Sequence, residues 1–325
     1  MSLAEHKLVA NDQTSNVDQI NEIHSENWAA SRTHLMEDDK ELMADYFVRH
    51  DFLRPSGQSS EATRETVASM IVNQGTTPAC IVTKALEWIV KNKEIGRPYF
   101  LKWYTPGHVI PATLSRFREN DKSKSIGSAL RLFLFPGDVD EEIQGVIGDD
   151  AVNFVAGLQR HFTYSLLSAY SFDVATGDVK FHFEKELALQ RACATRWADH
   201  KFIFLDSTKF KTEGDRAYGI ADMLNTANSV TIYTVHSSKD GKVIAGVAKL
   251  AEKMNFIFGP PPAQDFDVKC LRLQIVGRDD VPTKLVEYYG PVVAESSSQP
   301  ADKETRLGEI IPKNTAQPIP LRGKG

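Results

Sequence analysis

Cysteine is scarce in this chain. Three residues, Cys80, Cys193 and Cys270, are spread over 325 positions. That spacing fits reduced thiols rather than a disulfide framework. There is no Cys-x-x-Cys pair and no Cys/His cluster, so the sequence carries no zinc pattern. A stretch of ~18 uninterrupted apolar residues, as a membrane helix needs, is missing as well. The start, MSLAEHKLVAND, has no apolar core of the secretory kind, and a cytoplasmic location follows as the expectation. Positive charge is concentrated nowhere: 38 Lys and Arg stand against 43 Asp and Glu, a net charge of -5. The global electrostatic footprint that nucleic acid requires is therefore lacking. No G-x-S-x-G elbow occurs, which removes one route to Ser-His-Asp catalysis.

What is present is an ordinary globular composition, 42% hydrophobic and 25% charged. The middle of the chain alternates between short apolar runs and helical stripes. Val67 to Val72 reads as a strand. Thr77 suits a helix cap and Pro78 a first helical position. Val82, Ala85, Leu86 and Ile89 then follow the i, i+3, i+4, i+7 spacing. Tyr99 to Tyr104, Leu132 to Phe135, Thr163 to Tyr170, Phe202 to Leu205 and Val230 to Val235 read as further strands. Asp149 to Arg160, Glu186 to Ala198 and Ala217 to Leu224 read as helices. Such alternation predicts an α/β fold, a mostly parallel sheet with helices on both faces.

The flanks differ from this rhythm. Residues 1–16 are polar and read as disordered. Residues 17–60 read as a helical segment, with Asp38 and Asp39 placed where carboxylates suit a helix start. Its acidic cluster, Glu37, Asp38, Asp39, Glu41 and Asp45, would repel phosphates. Arg54-Pro55-Ser56-Gly57 reads as a linker. Residues 61–235 form the α/β domain, and 236–294 a small α+β extension packed on the core. Within that extension Val243 to Met254 looks helical and Gly259-Pro260-Pro261-Pro262 breaks the chain. Leu271, Leu273 and Ile275 alternate as on a strand, with Lys284 to Tyr289 as its pairing partner. Residues 295–325 read as a flexible tail.

The chemistry concentrates at two turns. Phe202 to Phe210 reads FIFLDSTKF: a buried strand runs into Asp206, Ser207, Thr208 and Lys209. Ligands of open α/β sheets bind where strands end, and Lys209 offers a compact positive charge there. Gly75-Thr76-Thr77 follows another strand and opens a helix. The glycine permits close approach, the hydroxyls donate, and helix N-terminal amides suit an anion. Alone, that triplet reads first as an ordinary strand–helix turn with a threonine cap. Its position relative to the Lys209 turn is what brings the anion-site reading level with it. Asp206 can likewise simply cap its own turn.

The FIFLDSTKF segment closely resembles the D-S-S-K-F turn of the sugar-phosphate sensor domain of DeoR-type transcription regulators. Further matches occur in order from Val67 to Val235. Gly75-Thr76-Thr77 resembles the family's phosphate loop, and Pro136-Gly137 its Gly-Gly turn. Gly148-Asp149-Asp150-Ala151 resembles its Gly-x-x-Ala helix start. Phe172-Asp173 and Gly177 fall where the family has Ile-Asp and a later Gly. Glu186 and Arg191 fit its Glu-x-x-x-x-Arg helix. The resemblance implies the fold shared with ribose-5-phosphate isomerase and CoA transferases, and binding of a phosphorylated sugar. On this resemblance the ligand-binding set is Gly75, Thr76, Thr77, Thr105, Gly137, Asp173, Glu186, Asp206 and Lys209, with no metal and no cofactor. It also implies a homo-oligomer.

The sequence departs from the family pattern at several points. The Thr-Asn-Ser turn reads Thr105-Pro106-Gly107, and the basic residue before Arg191 is Gln190. An acid expected two residues earlier is Ala188. The family's winged helix is not found, so the protein is expected to report to a protein partner, or to have lost regulation, without binding nucleic acid itself. Binding without turnover is the leading expectation. An isomerase-like enzyme, with Asp173 or Glu186 as a buried base, a regulator with an unfamiliar DNA-reading segment, and a scaffold with a degenerate pocket stand as alternatives. His182 and Glu184, two apart, would share a face if Phe181 to Glu184 were a strand. His108 reads as a loop histidine at a strand end. Cys80 and Cys193 read as buried, unreactive thiols.

Overall fold

A computed structural model describes residues 37–52, 66–91, 99–120, 130–141, 143–236, 269–278 and 282–290, all within one unit that ends at Val293. The first helix, α1 (Glu37–His50), opens with Glu37, Asp38 and Asp39 and buries Met43, Ala44, Phe47 and Val48. The alternation then follows: β1 (Thr66–Val72), α2 (Thr76–Lys91), β2 (Tyr99–Thr105), α3 (Val109–Asn120) and β3 (Leu130–Leu134). A hairpin comes next, β4 (Asp138–Asp140) and β5 (Gly145–Ile147), then α4 (Asp149–Gly157) and β6 (Phe162–Leu167). The strands β7 (Ser171–Asp173) and β8 (Asp178–Phe181) lead into α5 (Glu184–Ala194) and β9 (Ala198–Leu205). A 3-10 turn at Ser207–Lys209, β10 (Asp215–Gly219), α6 (Ile220–Leu224), β11 (Ala227–His236), β12 (Lys269–Gly277) and β13 (Lys284–Gly290) complete the described order.

Eight strands form the main sheet in the order β13-β12-β11-β9-β6-β1-β2-β3. Every neighbouring pair is parallel except β12 with β13. The sheet order steps outward from β1 and β6 in both directions, so their C-terminal ends mark a switch point. A small antiparallel sheet, β10-β8-β7, lies beside it.

The period-two pleat divides the apolar residues between two layers. Met70, Val72, Leu166, Phe202, Phe204 and Tyr233 pack with α1 and α2, where Phe47, Ile81, Val82, Ala85 and Leu86 are buried. Ile71, Leu167, Ile203, Leu205 and Ile232 pack against the opposite layer with Val155, Leu189, Cys193 and Met223 from α4, α5 and α6. Helices therefore cover both faces of a mostly parallel sheet. That double burial explains why the second half of β9, Phe202 to Leu205, is a continuous apolar run rather than an alternating one.

Several expected boundaries move. Helix α2 begins at Thr76, and the Gly75 carbonyl accepts from Ala79 N at 3.2 Å. Gly75 therefore takes the capping place, and Thr77 is buried within the first turn instead of capping it. The stretch expected as a helix from Ala217 is the end of β10, where Tyr218 and Gly219 pair with β8. Tertiary pairing overrides local helix preference there, and the helix is confined to Ile220–Leu224. Strand β8 stops at Phe181 and Glu184 opens α5, so His182 and Glu184 do not share a strand face. Helix α5 ends at Ala194, and β9 starts earlier than expected, at Ala198. The expected segments at 1–16, 17–36, 54–57, 243–254, 259–262 and 295–325 lie outside the described residues.

Candidate functional site

The end of β1 runs Val72-Asn73-Gln74-Gly75 and sets the site. Gly75 has φ +120, a conformation that side chains rarely adopt. The turn is held from β6 by Ser168, whose hydroxyl donates to the Gln74 carbonyl at 2.8 Å. Gly75, Thr76 and Thr77 then face a pocket lined also by Gln74, Ser168, Glu186 and Lys209. Helix α2 presents its N-terminus at this point, where unpaired amides favour negative charge. The space open to water-sized groups is about 20 Å³, room for about one water molecule. Any sugar-sized ligand must therefore shift a wall of the pocket.

A chain of buried polar side chains joins the pocket at Gln74 and Glu186. Glu186 Oε1 accepts from Gln74 Nε2 at 2.9 Å and from Gln190 Nε2 at 3.1 Å. Asn73 Nδ2 donates in turn to Gln190 Oε1. Asn73, Gln74, Glu186 and Gln190 are all buried. Lys209 approaches from the turn after β9, with its ammonium 6.0 Å from the centre of the Tyr170 ring. Tyr170 stacks on His182, ring centres 5.2 Å apart, and its hydroxyl accepts from Lys211 at 2.9 Å. Lys211 also pairs with Glu213 at 2.7 Å. Burial is the largest single influence on Lys211 and acts to lower its pKa, but Glu213 and Tyr170 together outweigh it and hold the pKa up.

Of the residues expected from sequence, Gly75, Thr76, Thr77, Glu186 and Lys209 meet around this pocket. Asp206 sits at the same strand end but is occupied locally. Its carboxylate accepts from Thr208 N at 3.0 Å and from the Thr208 hydroxyl, capping its own turn. Asp173 ends β7, where it accepts from Ala175 N at 3.0 Å and pairs with Lys180 at 3.4 Å. Thr105 is buried, and its hydroxyl accepts from Gly107 N at 2.9 Å. Gly137, with φ +133, packs against Ile147 and Val146. None of these four lines the pocket.

The structure adds Asn73, Gln74 and Lys201. Two amides directly after an apolar strand were the available signal for the first pair. Lys201 stands directly before the apolar run Phe202 to Leu205 of β9 and is fully buried. Its ammonium donates to Ala194 O at 2.6 Å, to Met223 O at 3.1 Å and to the Thr226 hydroxyl. It thereby ties the C-terminal ends of α5 and α6 together. Burial pushes the Cys193 thiol up to about 12 and the Cys80 thiol up to about 11, so both are poor nucleophiles at neutral pH. Among the described residues no group of three or more His, Cys, Asp and Glu is placed to hold a metal, and no helix is long and apolar enough to cross a membrane.

No family model matches the sequence, and no curated protein matches it. Among solved structures, a ribose-5-phosphate isomerase in complex with phospho-erythronic acid aligns at 11% identity and TM-score 0.30 over 54% of each chain. Ribose 5-phosphate isomerase A from Methanocaldococcus jannaschii aligns at 11% identity and TM-score 0.30, covering 54% of this chain and 55% of that one. The isomerase A from Neisseria gonorrhoeae aligns at 11% identity and TM-score 0.29, covering 54% and 53%. This chain thus spans about half the length of these three isomerases. Superpositions this loose transfer neither a site nor an activity to it.

Proposed function

We propose that this protein binds a small anionic metabolite, a phosphorylated sugar foremost, in the pocket at the ends of β1, β6 and β9, and that it acts as a sensor. The observation carrying this reading is that Gly75, Thr76 and Thr77 at the start of α2 line the same pocket as Lys209. Helix amides and hydroxyls would take the anionic oxygens, and Lys209 would neutralise their charge. The ordered resemblance to DeoR-type sensor domains supports the same ligand class. With a net charge of -5 and an acidic α1, the output would pass to a protein partner or a second copy of the chain rather than to DNA.

The test is a thermal-shift series with sugar phosphates, free sugars, inorganic phosphate and CoA thioesters. A ligand that binds only the folded state raises the melting temperature by mass action. A shift confined to phosphorylated compounds, lost in Lys209→Ala while the unliganded protein stays folded, is the expected result. An unchanged shift in Lys209→Ala would remove that residue from the site.

One observation favours a second reading, an isomerase-like enzyme. Glu186 is a buried carboxylate lining the same pocket as Lys209. A carboxylate so placed can move a proton between adjacent carbons while the lysine steadies the developing oxyanion. Interconversion of an aldose phosphate and its ketose, abolished in Glu186→Gln, would establish turnover. Binding without interconversion would leave the sensor reading in place.

A further inference from the structure

Gln74 occupies an unusual position. Its side chain is 2% exposed and crosses the bridge that pairs Gly107 with Gly145. A Cβ on Gly145 would lie 3.1 Å from both the Cβ and the Cδ of Gln74. A side chain at 145 would crowd this path and press Gln74 aside by a few tenths of an ångström. Its backbone carbonyl is fixed by Ser168 at 2.8 Å and its amide nitrogen by Glu186 at 2.9 Å. Gln190 donates to the same Glu186 oxygen at 3.1 Å. Turning the amide over would bring an oxygen against a carboxylate oxygen that already accepts, so the network fixes which way Gln74 points. Its Oε1 is then left buried, with no hydrogen-bond partner among the described residues, on a residue that lines the pocket. A buried acceptor held this rigidly is matched by a donor in whatever fills the pocket.

We propose that Gln74 is a specificity residue: it accepts a hydroxyl of the ligand at Oε1, so that the site selects hydroxylated phosphates over phosphates that lack a hydroxyl. This rests on the anion-binding reading above. Thr76, Thr77 and Lys209 hold the anionic end of any such ligand, and Gln74 reads the carbon next to it. Glu186 and Gln190 act as positioning residues for the amide. A site built to pair with a hydroxyl rejects the analogue without one, because the buried acceptor then stays unpaired.

The test compares inorganic phosphate, ethyl phosphate and glycerol 3-phosphate as probes on the full chain, by calorimetric titration. Ethyl phosphate and glycerol 3-phosphate are both phosphate monoesters, but only the second carries hydroxyls. The wild-type protein is expected to bind glycerol 3-phosphate at least about tenfold more tightly than ethyl phosphate, the discrimination typical of a paired buried acceptor. In Gln74→Met, which keeps the length and removes the acceptor, that ratio is expected to fall to within about twofold of one. A wild-type ratio near one overturns the proposal, whether or not the variant folds. A high ratio retained in Gln74→Met overturns it too. If none of the three phosphates binds, the anion-binding reading itself fails, and this proposal with it.

Discussion

Lys201 and His200 are neighbours on β9 with opposite relations to charge. Lys201 satisfies two helix-end carbonyls and a hydroxyl from a fully buried position. Replacing it with Met keeps the stem but strands both carbonyls. A loss of about 2–4 kcal/mol is expected, read from the midpoint of urea unfolding; an unchanged midpoint would mean that the ammonium is dispensable. His200 is held below the ordinary histidine value of 6.5, chiefly by burial, while its Nδ1 meets the Ser229 hydroxyl at 2.7 Å. Nearby Asp199 pulls the other way and loses. Below about pH 6.5 the unfolded chain takes up a proton that the folded chain accepts only at lower pH. The contribution of His200 is therefore full above that value and is lost as the pH falls through it. Stability is expected to drop between about pH 7 and 5, and to drop less in His200→Gln. Parallel pH profiles for the two proteins would exclude this histidine as the cause.

The turns between elements depend on glycines for different reasons. Gly137, between β3 and β4, has φ +133, and a Cβ there would lie 2.5 Å from the Ile147 carbonyl oxygen and 2.8 Å from Val146. Gly148, ahead of α4, has φ 95 and ψ 177, with nothing within 4 Å of a Cβ. Gly148→Ala meets backbone strain alone, about 1–3 kcal/mol. Gly137→Ala meets that strain and a backbone collision as well, so it must move the β4–β5 hairpin and is expected to destabilise more. Chemical unfolding of the two variants ranks them; equal losses would mean that the hairpin yields freely. Gly137 was expected at the ligand site, yet its packing gives it a sufficient structural reason to be glycine.

At the scale of the whole molecule, the sheet does not end at β11. Strand β12 pairs along β11 from Ser229↔Cys270 to His236↔Gly277 and buries Leu271, Leu273, Ile275 and Val276. Each such side chain contributes about 1.5–3 kcal/mol of burial. A chain truncated after His236 would expose β11 as an apolar edge, and such edges aggregate. Soluble, cooperatively unfolding material from that truncation would contradict this. The whole chain, for its part, is expected to ignore random duplex DNA at low salt, where electrostatic affinity is greatest. A tight, salt-sensitive complex in a binding titration would overturn the assignment of its output to a protein.

Much of the architecture was legible in the sequence because it is written in local pattern. The runs at β1, β9 and β11 and the stripe Val82, Ala85, Leu86, Ile89 follow directly from which faces must be buried. The Lys209 turn was legible for the same reason, since an apolar strand ending in polar residues marks a strand end. Other features depend on partners distant in the chain. Residues 215–219 became β10 because β8 was there to pair with them. Asp206 turned to Thr208, and Asp173 to Lys180, because those donors lay within reach. Gln190 read as a lost basic residue in sequence, whereas folding places it against Asn73 and Glu186. Local sequence determined which segments are strands and helices and where a strand ends in charge. Only the tertiary structure decided which polar side chains face the pocket, because that depends on pairings between segments far apart in the chain.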